Sequence, residues 1–284
     1  MEVQAYGKLN LTLDVQGKRP DGYHNMQMLM QSITLADVLR LEKRGDAELR
    51  VQTSLSFLPT GERNLAAAAA ICFWKALGQA RQGLNISIEK HIPVCAGMAG
   101  GSSDAAAVLR ALNAQEREPF TPLELARLGE QVGSDVPYCV LGGTALAEGR
   151  GEILTPLSPL PKCWAVVCKP EFSVSTPELF ARIDHVRLRC RPDTRGALEA
   201  LRAGDLHGVA RRMYNVFEDA LPHRQQLRVA QIKNALIQCG ALGASMSGTG
   251  PTAFGLFDAI SPAQEAAERL RDFSREVFLV QTIM

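Results

Sequence analysis

The chain has 284 residues, 46% hydrophobic and 21% charged, and its 31 basic and 30 acidic side chains give a formal net charge of +1. This composition predicts a globular protein of about two domains and disfavours a disordered, collagenous or coiled-coil chain. The balanced charge argues against a partner that is a nucleic acid or an anionic membrane surface. The longest apolar run, residues 65–74, is too short for a membrane span, which needs roughly 20 residues. The N-terminus shows no secretory signal pattern, which predicts a cytoplasmic location.

The first third of the chain shows alternation typical of strands and then a helical pattern. Leu9, Leu11 and Leu13 alternate with polar residues, and the methionines at 26, 28 and 30 repeat that spacing. An Ala-rich stretch from Glu62 to Leu77 predicts a helix that ends before Gly78. Alternation resumes over 84–88 and predicts a further strand.

The segment Pro93–Asp104, with sequence PVCAGMAGGSSD, is the strongest local signal. Its small residues allow backbone N–H groups to approach a ligand, and Ser102, Ser103 and Asp104 are expected to open a helix whose N-terminus favours an anion. The segment suits the phosphates of a nucleotide. It is neither a Walker A loop, which needs a Lys-Ser/Thr pair, nor a dinucleotide fingerprint, because the glycine spacing differs.

The later elements alternate between helices and strands without a strict βαβ order. Thr121 and Glu124 form a capping box that opens a helix, and Tyr138–Leu154 is expected to form strands after a break at 133–137. The proline-rich stretch 155–162 predicts a boundary between domains at 1–156 and 157–284. Helices and strands that are mixed without strict alternation favour an α+β fold.

A second glycine-rich segment, Ser247–Ala253, formally matches the dinucleotide pattern G-x-G-x-x-A. The residues after it continue as a strand, whereas a dinucleotide site requires a helix there. A tight loop between two strands that lies against a phosphate or a substrate is the better interpretation. No G-x-S-x-G motif of a serine hydrolase and no cluster with zinc-ligand spacing occurs, so no metal ligands are predicted.

Three segments together resemble the motifs of the GHMP kinases, the family of galactokinase, homoserine kinase, mevalonate kinase and phosphomevalonate kinase. They are Tyr6–Leu11, Pro93–Asp104 and Met246–Phe257, and they occur in the family's order. The resemblance implies a two-lobed α+β fold: an N-terminal mixed-sheet lobe that binds the nucleotide, a C-terminal ferredoxin-like α/β sandwich, and an active site in the cleft between. It also implies phosphoryl transfer from ATP, with Mg²⁺, to a hydroxyl group of a small molecule.

Within the family, Arg19–His24 and Gly133–Pro137 are similar to the members that act on a cytidine diphosphate sugar alcohol in isoprenoid biosynthesis. The resemblance implies that Asp135 is the general base and that Lys8 stabilises the developing alkoxide. The substrate contacts that it implies are Asn10, Tyr23, His24, Thr176, Phe180, Gly248 and Thr249, with the base stacked between Tyr23 and Phe180. The ATP contacts that it implies are Pro93, Val94, Cys95, Ala96, Gly97, Met98, Ala99, Gly100, Gly101, Ser102 and Ser103.

Three other functions remain open from the residues. One is another GHMP kinase with a mevalonate-type or homoserine-type substrate, which would have no use for the aromatic pair. A second is a nucleotide-binding regulator without catalysis, against which the presence of both Lys8 and Asp135 counts. A dinucleotide-dependent oxidoreductase is the weakest, because its one formal motif precedes a strand. A monomer or a weak homodimer is expected.

Overall fold

The computed structural model describes residues 1–283. Its strands are β1 (Glu2–Lys18), β2 (His24–Lys43), β3 (Leu49–Thr53), β4 (Leu84–Glu89), β5 (Thr144–Gly149), β6 (Ile153–Pro156), β7 (Trp164–Lys169), β8 (Tyr214–Asn215), β9 (Gly243–Met246), β10 (Ala253–Phe257) and β11 (Glu276–Gln281). Its helices are α1 (Leu65–Ala76), α2 (Gly100–Gln115), α3 (Pro122–Glu130), α4 (Val136–Leu141), α5 (Thr176–Ile183), α6 (Thr194–Arg202), α7 (Leu206–Ala210), α8 (Phe217–Ala220), α9 (His223–Gln238) and α10 (Ile260–Leu270). None of the helices within these residues is long and apolar enough to cross a bilayer.

The chain forms two compact units that are interleaved along the sequence. The first unit comprises Met1–Gly7, Leu35–Ile92 and Ala99–Gly142. The second comprises Lys8–Thr34, Pro93–Met98 and the described residues from 143 onwards. The long strands β1 and β2 therefore contribute residues to both units. A domain boundary between 156 and 157 stays a prediction.

In the first unit, helices α1 and α2 pack together next to a small sheet. Strand β4 pairs in parallel with β3 and antiparallel with the second half of β2, and its alternating residues Leu84, Ile86 and Ile88 are buried. The alanines of α1 at 66, 67, 69 and 70 are buried, and such small side chains allow close contact between helices. The capping box of Thr121 and Glu124 is present at the start of α3, as its spacing predicts.

The expectation of strands throughout Tyr138–Leu154 is wrong for its first part, where the chain forms helix α4. A short apolar run is compatible with either structure, and periodicity alone does not separate them. Pro137 occupies the first turn of α4, which suits its fixed φ and its missing N–H. Gly142 and Gly143 then adopt positive φ, end the helix and lead into β5.

The second unit contains a four-stranded antiparallel sheet in the order β11-β7-β10-β9, with α9 and α10 packed on it. Residues 165–168 of β7 are completely buried, as expected for a central strand. In the same unit, β5 pairs with the first half of β2 and with β6, and β8 pairs in parallel with β1. Helices and strands occur in both units, and the predicted α+β class is confirmed.

Candidate active site

The first glycine-rich loop lies directly against the second one within the second unit. The Ser247 hydroxyl donates a 2.9 Å hydrogen bond to the carbonyl oxygen of Gly97. A Cβ atom on Gly97 would lie only 2.1 Å from the Ser247 carbonyl oxygen, and the residue has a φ of 72°. Glycine is therefore required at position 97 both for conformation and for this close approach. Cys95, at φ 52°, is exposed in the same loop.

Two buried asparagines hold the turn between β9 and β10. The Asn215 side-chain amide donates 2.7 Å hydrogen bonds to the carbonyl oxygens of Met246 and Gly248. The Asn10 amide oxygen accepts a 2.9 Å hydrogen bond from the Gly248 N–H. Both asparagines are completely buried. Asn215 was not among the predicted residues, and a single asparagine in a helix-rich stretch gives no local signal of this role.

Lys8 joins this arrangement through Asn10. Its side chain is buried, and its ammonium donates a 2.5 Å hydrogen bond to the Asn10 amide oxygen. The Lys8 backbone N–H donates to the carbonyl oxygen of Met98, at the end of the first loop. The structure thus brings Lys8, Asn10, Gly97 and Gly248 together. The Asn10 amide oxygen accepts hydrogen bonds from the Lys8 ammonium and the Gly248 N–H, and it also lies 3.5 Å from the Ser247 hydroxyl, so its geometry is that of a positioning residue; a contact with substrate stays a prediction.

Helix α2, in the first unit, begins two residues before the predicted start. Ala99 adopts a left-handed conformation at the N-cap with φ 59°, and Gly100 is the first helical residue. Ser103 is completely buried, and its hydroxyl donates a 2.6 Å hydrogen bond to the carbonyl oxygen of Tyr6. The expectation that Ser102–Asp104 open the helix is wrong because the glycines adopt helical geometry themselves. Ser102 keeps a partly exposed side chain in the first turn.

A buried cluster of charges, which we call the Asp37–Lys90–Asp104 cluster, lies behind this first turn. The Lys90 ammonium donates to Asp37 at 2.5 Å and to Asp104 at 2.6 Å, and the three side chains are at most 6% exposed. Asp37 also accepts hydrogen bonds from the backbone N–H groups of His91 and Ile92. The second carboxylate oxygen of Asp104 has no hydrogen-bond partner among the described residues. Burial raises the pKa of Asp104 to about 7; Lys90 opposes this effect and the Asp37 charge adds to it.

Asp135 lies at the N-cap of α4, in the same unit as α2. Its side chain is partly exposed and makes no capping hydrogen bond. A Cβ atom on Gly133 would lie 4.0 Å from the Ser102 hydroxyl, so the turn before Asp135 lies beside the first turn of α2. The carboxylate is thus available to a ligand near that turn. The proximity of Asp135 to Lys8 stays a prediction.

Helix α5 contributes to an aromatic cluster in the second unit. The rings of His24 and Phe180 are 5.1 Å apart, and Phe217 meets the edge of Phe180 at 4.9 Å. The His24 ring is buried, and its Nε2 lies 2.7 Å from an oxygen of Asp184, which follows α5. A cavity of about 410 Å³ borders this pair and is also lined by Val15, Cys190 and Arg191. Such a volume falls in the range of small-molecule sites.

The three remaining predicted substrate contacts, Thr176, Thr249 and Tyr23, are exposed or partly exposed. The Thr176 and Thr249 hydroxyls lie 2.9 Å apart and join the start of α5 to the second glycine-rich loop. Tyr23 is 57% exposed, and its ring lies under the Arg150 guanidinium at 5.2 Å. The structure brings Phe180 into contact with His24, whereas Tyr23 contacts Arg150. Within residues 1–283, no cluster of three or more His, Cys, Asp or Glu side chains forms a metal site.

Comparison with known proteins identifies the family. The chain matches the model of the GHMP kinases N terminal domain over residues 64–143 and that of the GHMP kinases C terminal domain over 197–276. A protein of Alkaliphilus metalliredigens named 4-diphosphocytidyl-2-C-methyl-D-erythritol kinase is 44% identical over 99% of this chain and 96% of its own length. A protein of the same name from Brevibacillus brevis is 43% identical over 100% and 96%.

Solved structures that are similar to this chain include kinases of the same family. The crystal structure of a 4-(cytidine 5'-diphospho)-2C-methyl-D-erythritol kinase is 35% identical, has a TM-score of 0.81 and covers 99% of both chains. Homoserine kinase from Cytophaga hutchinsonii has a TM-score of 0.77 at 18% identity, covers 100% of this chain and 94% of its own, and shares the fold. The chain belongs to the GHMP kinases, a family of ATP-dependent kinases of small molecules.

Proposed function

We propose that this protein transfers the γ-phosphoryl group of ATP to the 2-hydroxyl of 4-diphosphocytidyl-2-C-methyl-D-erythritol, in the non-mevalonate route to isopentenyl diphosphate. The observation that carries this proposal is the full-length similarity to kinases of that name, at up to 44% identity. The aromatic cluster around His24 and Phe180 supports it, because an aromatic surface suits a nucleobase. Mevalonate and homoserine contain no base and would not use this cluster.

The first glycine-rich loop and the start of α2 fit the phosphates of ATP. Cys95, Gly97 and Ala99 have positive φ, which turns the backbone sharply before the helix. The first N–H groups of α2 have no carbonyl partner within the helix and favour a bound anion. In ATP-dependent transfer, Mg²⁺ bound to the phosphates neutralises the charge that develops on them. The Ser102 hydroxyl is the side chain of this turn that we propose to approach that ion, because the Ser103 hydroxyl already donates to Tyr6.

Asp135 and Lys8 are proposed to act on the acceptor hydroxyl. As the hydroxyl oxygen forms its bond to the γ-phosphorus, the bond from that phosphorus to the β-phosphate oxygen breaks and ADP leaves. Asp135 accepts the hydroxyl proton, a role that requires an accessible carboxylate. The Lys8 ammonium stabilises the negative charge that develops on the oxygen. Asn10 and the loop around Gly248 support Lys8 in a water-poor environment.

The cytosine is proposed to stack on Phe180, with Tyr23 on its other face and His24 at its edge. Thr176 and Thr249 are proposed to contact the diphosphate or the sugar alcohol, because their hydroxyls meet at the exposed start of α5. We further propose a monomeric or weakly dimeric enzyme that does not bind nucleic acid and acts in the cytoplasm. Its net charge of +1 is consistent with a small-molecule partner.

The test is a coupled assay of ADP release with 4-diphosphocytidyl-2-C-methyl-D-erythritol, run in parallel with mevalonate, homoserine and the sugar alcohol phosphate without cytidine. We expect turnover with the cytidine compound and a new phosphomonoester signal at the 2-position by ³¹P NMR. The Asp135→Asn variant is the control for contaminating kinases, because it should lose turnover while it still binds ATP. Faster turnover of mevalonate or homoserine than of the cytidine compound would refute the proposal.

A further inference from the structure

Arg110 lies on helix α2 and binds two other elements of the first unit. Its Nη1 donates a 2.5 Å hydrogen bond to the carbonyl oxygen of Cys139 on α4, and its Nη2 donates a 3.3 Å hydrogen bond to that of Gln4 on β1. Among residues 1–283, no carboxylate pairs with Arg110. Burial is the main cause that lowers the pKa of Arg110, so this partly shielded cation depends on the two carbonyl groups.

Ser103, which is also on α2, contacts the same two elements. Its hydroxyl donates a 2.6 Å hydrogen bond to the carbonyl oxygen of Tyr6 on β1 and lies 3.4 Å from the sulfur of Cys139 on α4. Ser103 and Arg110 are about two helical turns apart, so they lie on one face of α2. Both side chains therefore attach β1 and α4 to the same face of this helix.

Cys139 connects Arg110 to the proposed base. It belongs to the last turn of α4, where the carbonyl groups have no N–H partner within the helix and a nearby cation is favourable. The Cys139 N–H donates a 3.1 Å hydrogen bond to the carbonyl oxygen of Asp135, the N-cap of α4. A single turn of helix thus separates the residue that Arg110 binds from the residue that carries the carboxylate.

The place of the Asp135 carboxylate depends on how α4 is held. Within the described residues 1–283, this carboxylate makes no hydrogen bond of its own. Helix α4 has only six residues and packs against α2. A general base has to lie within hydrogen-bond reach of the proton that it accepts, and a displacement of about 1 Å can lower a rate about a hundredfold.

We propose that Arg110 is a positioning residue that, together with Ser103, holds α4 against α2 and so keeps the Asp135 carboxylate in reach of the acceptor hydroxyl. This inference rests on the proposed function, in which Asp135 is the base and the N-terminus of α2 binds the phosphates of ATP. One helix then carries the phosphate site at its N-terminus and, on its side, the two residues that hold α4. Arg110 acts on the reaction only through α4 and Asp135.

The kinetic test compares wild type with Arg110→Met, which keeps a side chain of similar length but removes both hydrogen bonds. We expect kcat to fall about tenfold to hundredfold, as for a displaced catalytic group. The dissociation constant of ATP, measured by calorimetry, should change less than twofold. Arg110→Lys keeps the cation and should recover part of kcat. A kcat of Arg110→Met within twofold of wild type would overturn the proposal.

Asn113→Ala is the matched control for general damage to α2. Asn113 lies three residues beyond Arg110, is buried, and also makes two hydrogen bonds to backbone groups, but both go to Phe120 and neither to α4. This variant should lower the melting temperature and leave kcat within twofold of wild type. An equal fall of kcat in Asn113→Ala and Arg110→Met would overturn the proposal, because it would assign the effect to loss of stability.

A double-mutant comparison separates positioning of the base from a merely structural role. If Arg110 acts through Asp135, Arg110→Met should lower kcat by less than a further twofold in an Asp135→Asn background. The same tenfold to hundredfold fall in both backgrounds overturns the proposal. Arg110→Lys takes the place of Arg110→Met throughout if the latter does not fold.

The same variants distinguish failure of this inference from failure of the proposed function. If Asp135→Asn lowers kcat and Arg110→Met does not, this inference alone fails. If Asp135→Asn keeps wild-type turnover, the assignment of the base in the proposed function fails and takes the inference with it.

Discussion

Substitution of Asp104 by Asn should change how stability depends on pH. The pKa of Asp104 is about 7 in the folded protein and 3.8 in a model peptide, because burial disfavours the carboxylate. The folded state therefore holds this proton more tightly than the unfolded state, and stability is lost as the pH rises through 7. Between pH 5 and pH 8 this loss corresponds to about 2 to 3 kcal/mol of the free energy of unfolding, at 1.36 kcal/mol for each pKa unit. An amide does not ionise, so the variant does not lose free energy of unfolding through residue 104 as the pH rises.

The assay is urea unfolding of both proteins at pH 5, 6.5 and 8. The difference in the free energy of unfolding between the variant and wild type at pH 5 is the reference value, because part of the loss in wild type has already occurred above pH 3.8. Between pH 5 and pH 8 this difference should increase in favour of the variant by about 2 to 3 kcal/mol, because residue 104 ionises only in wild type. Lys90→Met is the counterpart, and it should cost about 3 to 5 kcal/mol because two buried carboxylates lose their cation. A variant that becomes less stable than wild type as the pH rises would refute the reasoning, since the ion pair would then outweigh the desolvation of Asp104.

Three further variants test the site. Asp135→Asn should lower kcat by about 10² to 10⁴-fold with unchanged ATP affinity by calorimetry, and wild-type turnover would exclude it as the base. Lys8→Met should lower kcat in steady-state kinetics, whereas a rise in KM alone would make Lys8 a binding residue. Gly97→Ala should lower the melting temperature and raise the KM for ATP, because its Cβ would overlap the Ser247 carbonyl oxygen at 2.1 Å and φ 72° adds about 1 kcal/mol or more. Gly101→Ala, whose Cβ would lie 3.4 Å from Leu65, should affect stability much less, and equal melting temperatures for the two variants would contradict the close-packing argument.

The elements that sequence reasoning predicts well are those whose signals are local. The capping box that starts α3 is a local signal, because Thr121 and Glu124 lie only three positions apart. The alternation over 84–88 gives β4 with its apolar residues inside. Helix α4 was missed because an apolar run of six residues has no period long enough to distinguish a helix from a strand. The start of α2 lies two residues before the predicted one because Gly100 and Gly101 adopt helical geometry, with Ala99 in the left-handed conformation at the N-cap.

In the candidate site, residues in contiguous motifs could be predicted from the sequence, whereas contacts between distant residues could not. The glycine-rich loops, Lys8 and Asp135 are recognisable because their residues stand in contiguous motifs of the family. Other contacts join distant parts of the sequence: Asp184 contacts His24 across 160 positions, and Asp37 contacts Lys90 across 53. A single sequence carries no signal for such pairs, because each partner alone is an ordinary polar residue. Only the fold shows that their side chains meet.

The use of asparagine rather than aspartate beside Lys8 follows from the chemistry that Lys8 is proposed to perform. The Asn10 amide oxygen accepts from both the Lys8 ammonium and the Gly248 N–H, so one neutral group positions a cation and a ligand-facing turn together. A carboxylate at that buried position would also accept both hydrogen bonds, but its charge would oppose the phosphoryl group that Lys8 is proposed to face. Asn215, which is also neutral, holds the other side of the same turn.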